Sequence, residues 1–137
     1  MKRSVSLLLV LSVVGLDIGV ALAQASGPRS HLPLRRVGQC AMTRITEIGY
    51  RLSDESNRPI RDSGTYFGVG NGLGGVSYSR VAAVHRSRVG DRVRICLVSI
   101  PRGCPPGDDR GRAYRTTNLR TRQSWVMGDS QHMCGGA

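Results

Sequence analysis

Lysine is almost missing from this chain: Lys2 is the only one, so every later cationic side chain is an arginine. Aromatics are scarce as well, at one tryptophan, four tyrosines and one phenylalanine. A platform for single-stranded nucleic acid interleaves aromatics with cations, so nucleic acid is the less expected polyanion. The four cysteines (Cys40, Cys96, Cys104, Cys134) contain no Cys-x₂₋₄-Cys pair and the three histidines are scattered. That argues against a zinc site and against a dithiol redox motif. There is no Gly-x-Ser-x-Gly elbow of the hydrolase kind. Nine acids are few, and no two of them stand out as a glycosidase pair.

What is present begins with a targeting pattern. Lys2 and Arg3 precede an apolar stretch over 5–14 that is interrupted only by Ser6 and Ser12, and Ala21-Leu22-Ala23 supplies a small-x-small cleavage site. The apolar stretch is short for a membrane span, and Asp17 is costly inside one. We therefore expect a signal peptide over 1–23 and an exported protein. A flexible leader over 24–39 should follow, because its Gly, Pro, Ser and Arg show no periodicity, and a single β-rich domain over 40–137. Removing Lys2, Arg3 and Asp17 leaves eighteen arginines and eight acids, a charge of about +10 that favours acidic partners.

A domain of this size buries a modest core and is commonly stapled. Four cysteines in an exported chain read as two disulfides with three possible connectivities. We expect Cys96–Cys104 to clip a turn and Cys40–Cys134 to tie the two ends, closing a loop of ~95 residues worth about 4–5 kcal/mol by chain entropy. The crossed pairings stay open.

The strongest strand pattern lies between Gly90 and Gly111. Val93, Ile95 and Leu97 share one face of an extended run, and Arg94, Cys96, Val98 and Ile100 share the other. Gly90-Asp91 opens the run as a turn, Pro101 ends it, and Pro105-Pro106-Gly107-Asp108 suits a type II turn. Residues 112–117 read as the antiparallel partner and residues 123–127, with Trp125, as a last core strand. Upstream, residues 40–52 read as a strand. Residues 64–79 read as a hairpin reversing at Asn71-Gly72, with Gly74-Gly75 suggesting a longer loop or a bulge. Residues 80–89 suit a connector or a single helical turn. Gly70-x-Gly72-x-x-Gly75 imitates a dinucleotide fingerprint, yet no helix opens there. No nucleotide or other cofactor is expected. The fold class implied is all-β: a small disulfide-stapled antiparallel barrel or sandwich of five to six short strands.

Candidate chemistry is thin. Asp129, Ser130 and His132 are neighbours in sequence, whereas working triads converge from separate segments. Backbone capping explains them more simply. His85, set among arginines, reads as a packing histidine. Asp108 and Asp109 could ligate calcium, but Arg102, Arg110 and Arg112 compete for them. A pairing of residues 92–99 with 112–117 would instead bring Arg92 and Arg94 towards Arg112 and Arg115. Opposed like charges are unfavourable, so such a group either meets acids or awaits an anion that guanidinium forks can grip.

The segments Gly90-Asp91-Arg92-Val93, Cys96-Leu97-Val98-Ser99-Ile100-Pro101, Cys104 to Gly111 (CPPGDDRG), Tyr114, Thr117-Asn118, Trp125 and Asp129 to Gly136 (DSQHMCGG) resemble those of a group of small exported bacterial proteins of unknown function. The resemblance covers the chain from about Cys40 to its end. It implies an exported bacterial protein and brings no activity, ligand or catalytic residue with it.

The expectation is a non-enzymatic envelope or secreted module without metal or cofactor. Its arginines Arg92, Arg94, Arg112 and Arg115 would meet an acidic polysaccharide, lipopolysaccharide or an anionic membrane surface. Two alternatives are a small secreted hydrolase using His132 or His85 with an acid, and an inhibitor or toxin-like scaffold presenting the Cys96–Cys104 loop.

Overall fold

A computed structural model describes residues 34–136 of the chain; the expected signal peptide lies outside the described residues. The elements are β1 (Cys40–Gly49), β2 (Thr65–Val69), β3 (Gly74–Ser77), α1 (Ala82–His85), β4 (Arg92–Ser99), β5 (Ala113–Asn118) and β6 (Ser124–Gly128). The strands are antiparallel and close into a barrel in the order β1-β2-β3-β6-β5-β4. Two three-strand meanders are thereby joined along β1–β4 and β3–β6, and closure removes the exposed sheet edge that a small open sheet would carry.

Alternation along β4 builds the core. Val93, Ile95 and Leu97 are fully buried, and Arg92 before them and Arg94 between them are exposed. Ile45, Phe67, Val69, Tyr114, Trp125 and Met127 complete the interior from the other strands. The Trp125 ring meets Phe67 edge-on, with centroids 5.4 Å apart, an arrangement that the ring quadrupoles favour. Val84 of α1 is fully buried against this core.

The turns follow their glycines. Asp108 N–H donates to Pro105 O at 3.1 Å with Gly107 at φ 84°, which is the type II turn. The hairpin reverses over Gly70–Leu73, with Gly72 at φ 81°. Gly74 and Gly75 make neither loop nor bulge, because they lie in β3 and pair in register with Gly68 and Phe67. Their small size answers a close approach: a Cβ on Gly75 would stand 2.8 Å from both Met127 Cβ and Phe67 Cε1.

The cysteine pairing differs from the sequence expectation. The disulfides are Cys40–Cys96 and Cys104–Cys134, not Cys96–Cys104 and Cys40–Cys134. Cys96 sits inside an extended strand that continues to Ser99. At about 3.3 Å per residue the chain has already run beyond disulfide reach before it can turn back to Cys104. Cys40 stands directly opposite Cys96 on β1, with Cα atoms 4.0 Å apart. Cys104 instead holds the C-terminal tail, where Cys134 N–H also donates to Arg110 O and Gly135 N–H to Asp108 Oδ2. The loop between Cys96 and Cys104 is therefore not closed on itself by a disulfide.

The leader also ends earlier than expected. Leu34 belongs to the buried core, Gln39 Oε1 accepts N–H groups from Arg35 and Arg36, and Gly38 N–H donates to Leu97 O at 2.8 Å. Residues 34–39 are thus fastened to the end of β4. Leu32, Leu34 and Val37 are scattered among Pro33, Arg35 and Arg36 and carry too little periodicity to announce this.

Candidate anion-binding face

The register of β1, β4, β5 and β6 decides which arginines meet. Arg44 of β1 pairs directly with Arg92 of β4, Arg94 pairs with Thr117 of β5, and Arg115 pairs with Cys96 of β4 and with Val126 of β6. Arg115 is therefore the diagonal neighbour of Arg94, two positions along β5. All four arginines are exposed. With β1 taken only over 40–44, the outward positions of this wall are Cys40, Met42, Arg44, Arg92, Arg94, Cys96, Val98, Arg115, Thr117, Ser124 and Val126, without a carboxylate among them. Glu47, the exposed acid of β1, lies past the register irregularity and accepts the Tyr66 hydroxyl at 2.9 Å. The Cys40–Cys96 disulfide lies in the same wall, with Arg94 Nη2 3.3 Å from Cys40 Sγ.

No carboxylate among the described residues is paired with these four arginines, and it is their shared wall that distinguishes them from the unpaired arginines of the loops. The pairs among the described residues are Arg58–Asp54, Arg110–Asp108, Arg112–Asp109 and Arg120–Asp91. None involves Arg44, Arg92, Arg94 or Arg115. Three of the four expected arginines thus share a face and one does not. Arg112 precedes β5 at the end remote from Arg92, sits 3.2 Å from the Asp109 carboxylate, and is mostly covered. Arg44 takes its place in the group. Alternation along 40–44 could have revealed it, but only with the β1–β4 register in hand.

Asp108 proves a structural acid. Arg110 donates to both of its oxygens and Gly135 N–H donates to one, which holds its carboxyl well below the usual range. No group of three or more His, Cys, Asp or Glu side chains suited to a metal occurs among the described residues.

The histidines have separate settings. His85 stacks on Tyr50 at 4.9 Å and lies 3.2 Å from Thr65 Oγ1. That hydroxyl gives its proton to Ser79 O and accepts Val81 N–H, so His85 Nε2 donates to it. Desolvation, aided by the Arg80 charge, lowers the pKa of His85 and so disfavours its charged form. The buried Thr65 is no accessible nucleophile, and His85 acts here as packing and as a hydrogen-bond donor.

His132 lines an open cleft of about 950 Å³ where β3 and β6 part, joined there only by the Val76–Gly128 pair. Tyr66, Tyr114, Arg112 and Asp129 share its walls. Loss of solvent around the Asp129 carboxyl pushes its pKa up, while its Oδ1 accepts Gly111 N–H at 2.8 Å. The described hydrogen bond of His132 runs from its backbone N–H to Ser130 Oγ. No hydrogen bond or ion pair links its ring to an acid among the described residues.

No protein-family model matches the chain, and no curated protein or solved structure matches it either.

Proposed function

We propose that the protein is an exported, non-enzymatic module that binds an acidic polysaccharide through Arg44, Arg92, Arg94 and Arg115. The observation that carries this reading is one barrel wall on which four exposed arginines gather outside any ion pair, while the one acid of its strands, Glu47, is taken up by the Tyr66 hydroxyl. Elsewhere on the described surface, Asp54, Asp91, Asp108 and Asp109 each hold an arginine. Directly opposed Arg44 and Arg92 repel each other, and an anionic polymer laid across β1, β4 and β5 relieves that repulsion at several points together. Guanidinium forks suit its sulfate, phosphate or carboxylate groups.

Two disulfides are consistent with an oxidising compartment, and the N-terminal pattern supports export through a cleaved leader. The wall carries Met42 and Val126 as isolated apolar side chains and no continuous apolar surface for lipid, which favours a soluble polymer over a bilayer.

The test is retention on immobilised heparin against co-sedimentation with vesicles rich in anionic lipid. The expected result is retention that fades as salt rises, with weaker partition to vesicles. Replacing Arg44, Arg92, Arg94 and Arg115 together by glutamine should move elution to markedly lower salt. Preferential vesicle binding would overturn the polysaccharide assignment, and retention indifferent to the four replacements would overturn the face.

A further inference from the structure

The wall is not uniform. At its β1 end, a pocket of about 500 Å³ opens where the β2–β3 hairpin turn passes over the start of β4. Thr43, Arg44, Thr46, Gly70, Asn71 and Arg92 line it, together with Met42, and none of them is acidic. Thr46 stands at the irregularity in the β1–β2 register between Ile45 and Glu47, and bulges re-aim side chains beside sites. Gly70 N–H is bound to Arg44 O at 2.9 Å, and a Cβ on Gly70 would stand 3.4 Å from Thr43 Oγ1. The missing side chain therefore keeps the floor open.

The donors are also sorted. Arg44 Nη1 is anchored on Gly90 O at 2.8 Å, which fixes its guanidinium plane and leaves the other N–H groups for a ligand. Asn71 Oδ1 accepts Leu73 N–H at 3.3 Å, which turns the amide so that its NH₂ is the free end. Two arginines, two threonines and one asparagine thus line a space with no acidic residue in its walls. Such a set of donors recognises a tetrahedral oxyanion, with its negative charge and several acceptor oxygens.

We propose that this pocket is a seat for one sulfate or phosphate monoester group, the anchoring subsite of the arginine wall. The proposal rests on the polysaccharide reading and deepens it: the polymer would carry its esters singly, one entering between Arg44 and Arg92 while neighbouring groups cross Arg94 and Arg115. The same chemistry is offered by a sulfated sugar and by a phospholipid head group, so both sources belong in the test.

The measurement is an amide NMR titration of the folded protein with inorganic phosphate and with inorganic sulfate at low ionic strength. Saturable shifts are expected at Thr43, Thr46, Gly70 and Asn71, with a Kd of about 1–10 mM. Arg92→Gln should weaken this binding at least ~10-fold, and Arg44→Gln should do the same. Arg94→Gln with Arg115→Gln should leave the shifts intact while lowering heparin retention. A sulfated disaccharide should shift the same amides at lower concentration than glycerol phosphate, and the reverse order would overturn the sugar-ester assignment. Absence of saturable shifts at these amides would overturn the subsite; if heparin retention persisted in that case, the wider arginine wall would stand without it. Shifts that survive both Arg44→Gln and Arg92→Gln would likewise overturn it.

Discussion

Asp91 and Asn118 hold together the end of the barrel from which the arginine wall rises. Asn118 is fully buried; its Nδ2 donates to Ser87 Oγ and Asp91 Oδ2, and its Oδ1 accepts Arg120 N–H and Thr121 N–H. Asp91 in turn receives Arg88 N–H and a two-pronged contact from Arg120. Asn118→Ala strands several of these groups at once, and we expect a loss of about 3 kcal/mol, read by denaturant unfolding. The Arg120 guanidinium, with Asn118 and the Arg88 N–H, holds the Asp91 carboxyl well below the usual carboxylate range. In acid the unfolded chain takes up its proton first. The contribution of Asp91 is therefore complete above the unfolded value near pH 4 and is lost as pH falls towards the depressed folded value. Asp91→Asn should flatten the acid limb of the stability profile. Asp108 is shifted the same way by Arg110, so part of the slope should remain; a profile of unchanged steepness would count against this account of Asp91.

At the scale of elements, one strand pair and one glycine set the closure. β3 reaches β6 through the single pair Val76–Gly128, and Gly75 lets the two strands approach over Phe67 and Met127. Gly75→Ala places a methyl 2.8 Å from each of those side chains, and should cost about 2 kcal/mol through overpacking, checked by thermal unfolding with the barrel's far-ultraviolet spectrum retained. The two disulfides stabilise by limiting the unfolded chain, with separations of 56 and 30 residues. Each is worth about 4 kcal/mol on the chain-entropy model. Removing Cys104 and Cys134 together should release the tail with the six-strand hydrogen exchange pattern preserved, because those cysteines lie outside the strands. Loss of protection in β4 and β5 would contradict that division.

Strands were legible where chemistry is local. The alternation of β4, the Gly107 turn and the hairpin at Gly72 all follow from residues a few positions apart. The disulfides were not, because Cys40 meets Cys96 only once β1 and β4 are aligned, and nearness in sequence misleads when a strand separates two cysteines. The same reason hid Arg44. Arg94 and Arg115 could be set near each other from a guessed β4–β5 pairing, whereas Arg112 needed the strand end and the Asp109 contact to be excluded.

At the scale of the whole molecule, the arginines divide into those that hold acids and those that hold none. Net charge alone cannot distinguish a cationic surface from a binding face, but placement can. If the face acts as a unit, affinity depends on where charge is removed and not on how much. The most direct measurement is therefore a charge-matched comparison by isothermal titration with a sulfated polysaccharide at two salt concentrations. One variant replaces Arg44, Arg92, Arg94 and Arg115 with glutamine; the other replaces Arg61, Arg80, Arg102 and Arg122, exposed arginines of the connecting loops. The account predicts that the first loses at least ~10-fold in affinity, together with most of the salt dependence, while the second stays near the native value. Equal losses in the two variants would contradict it.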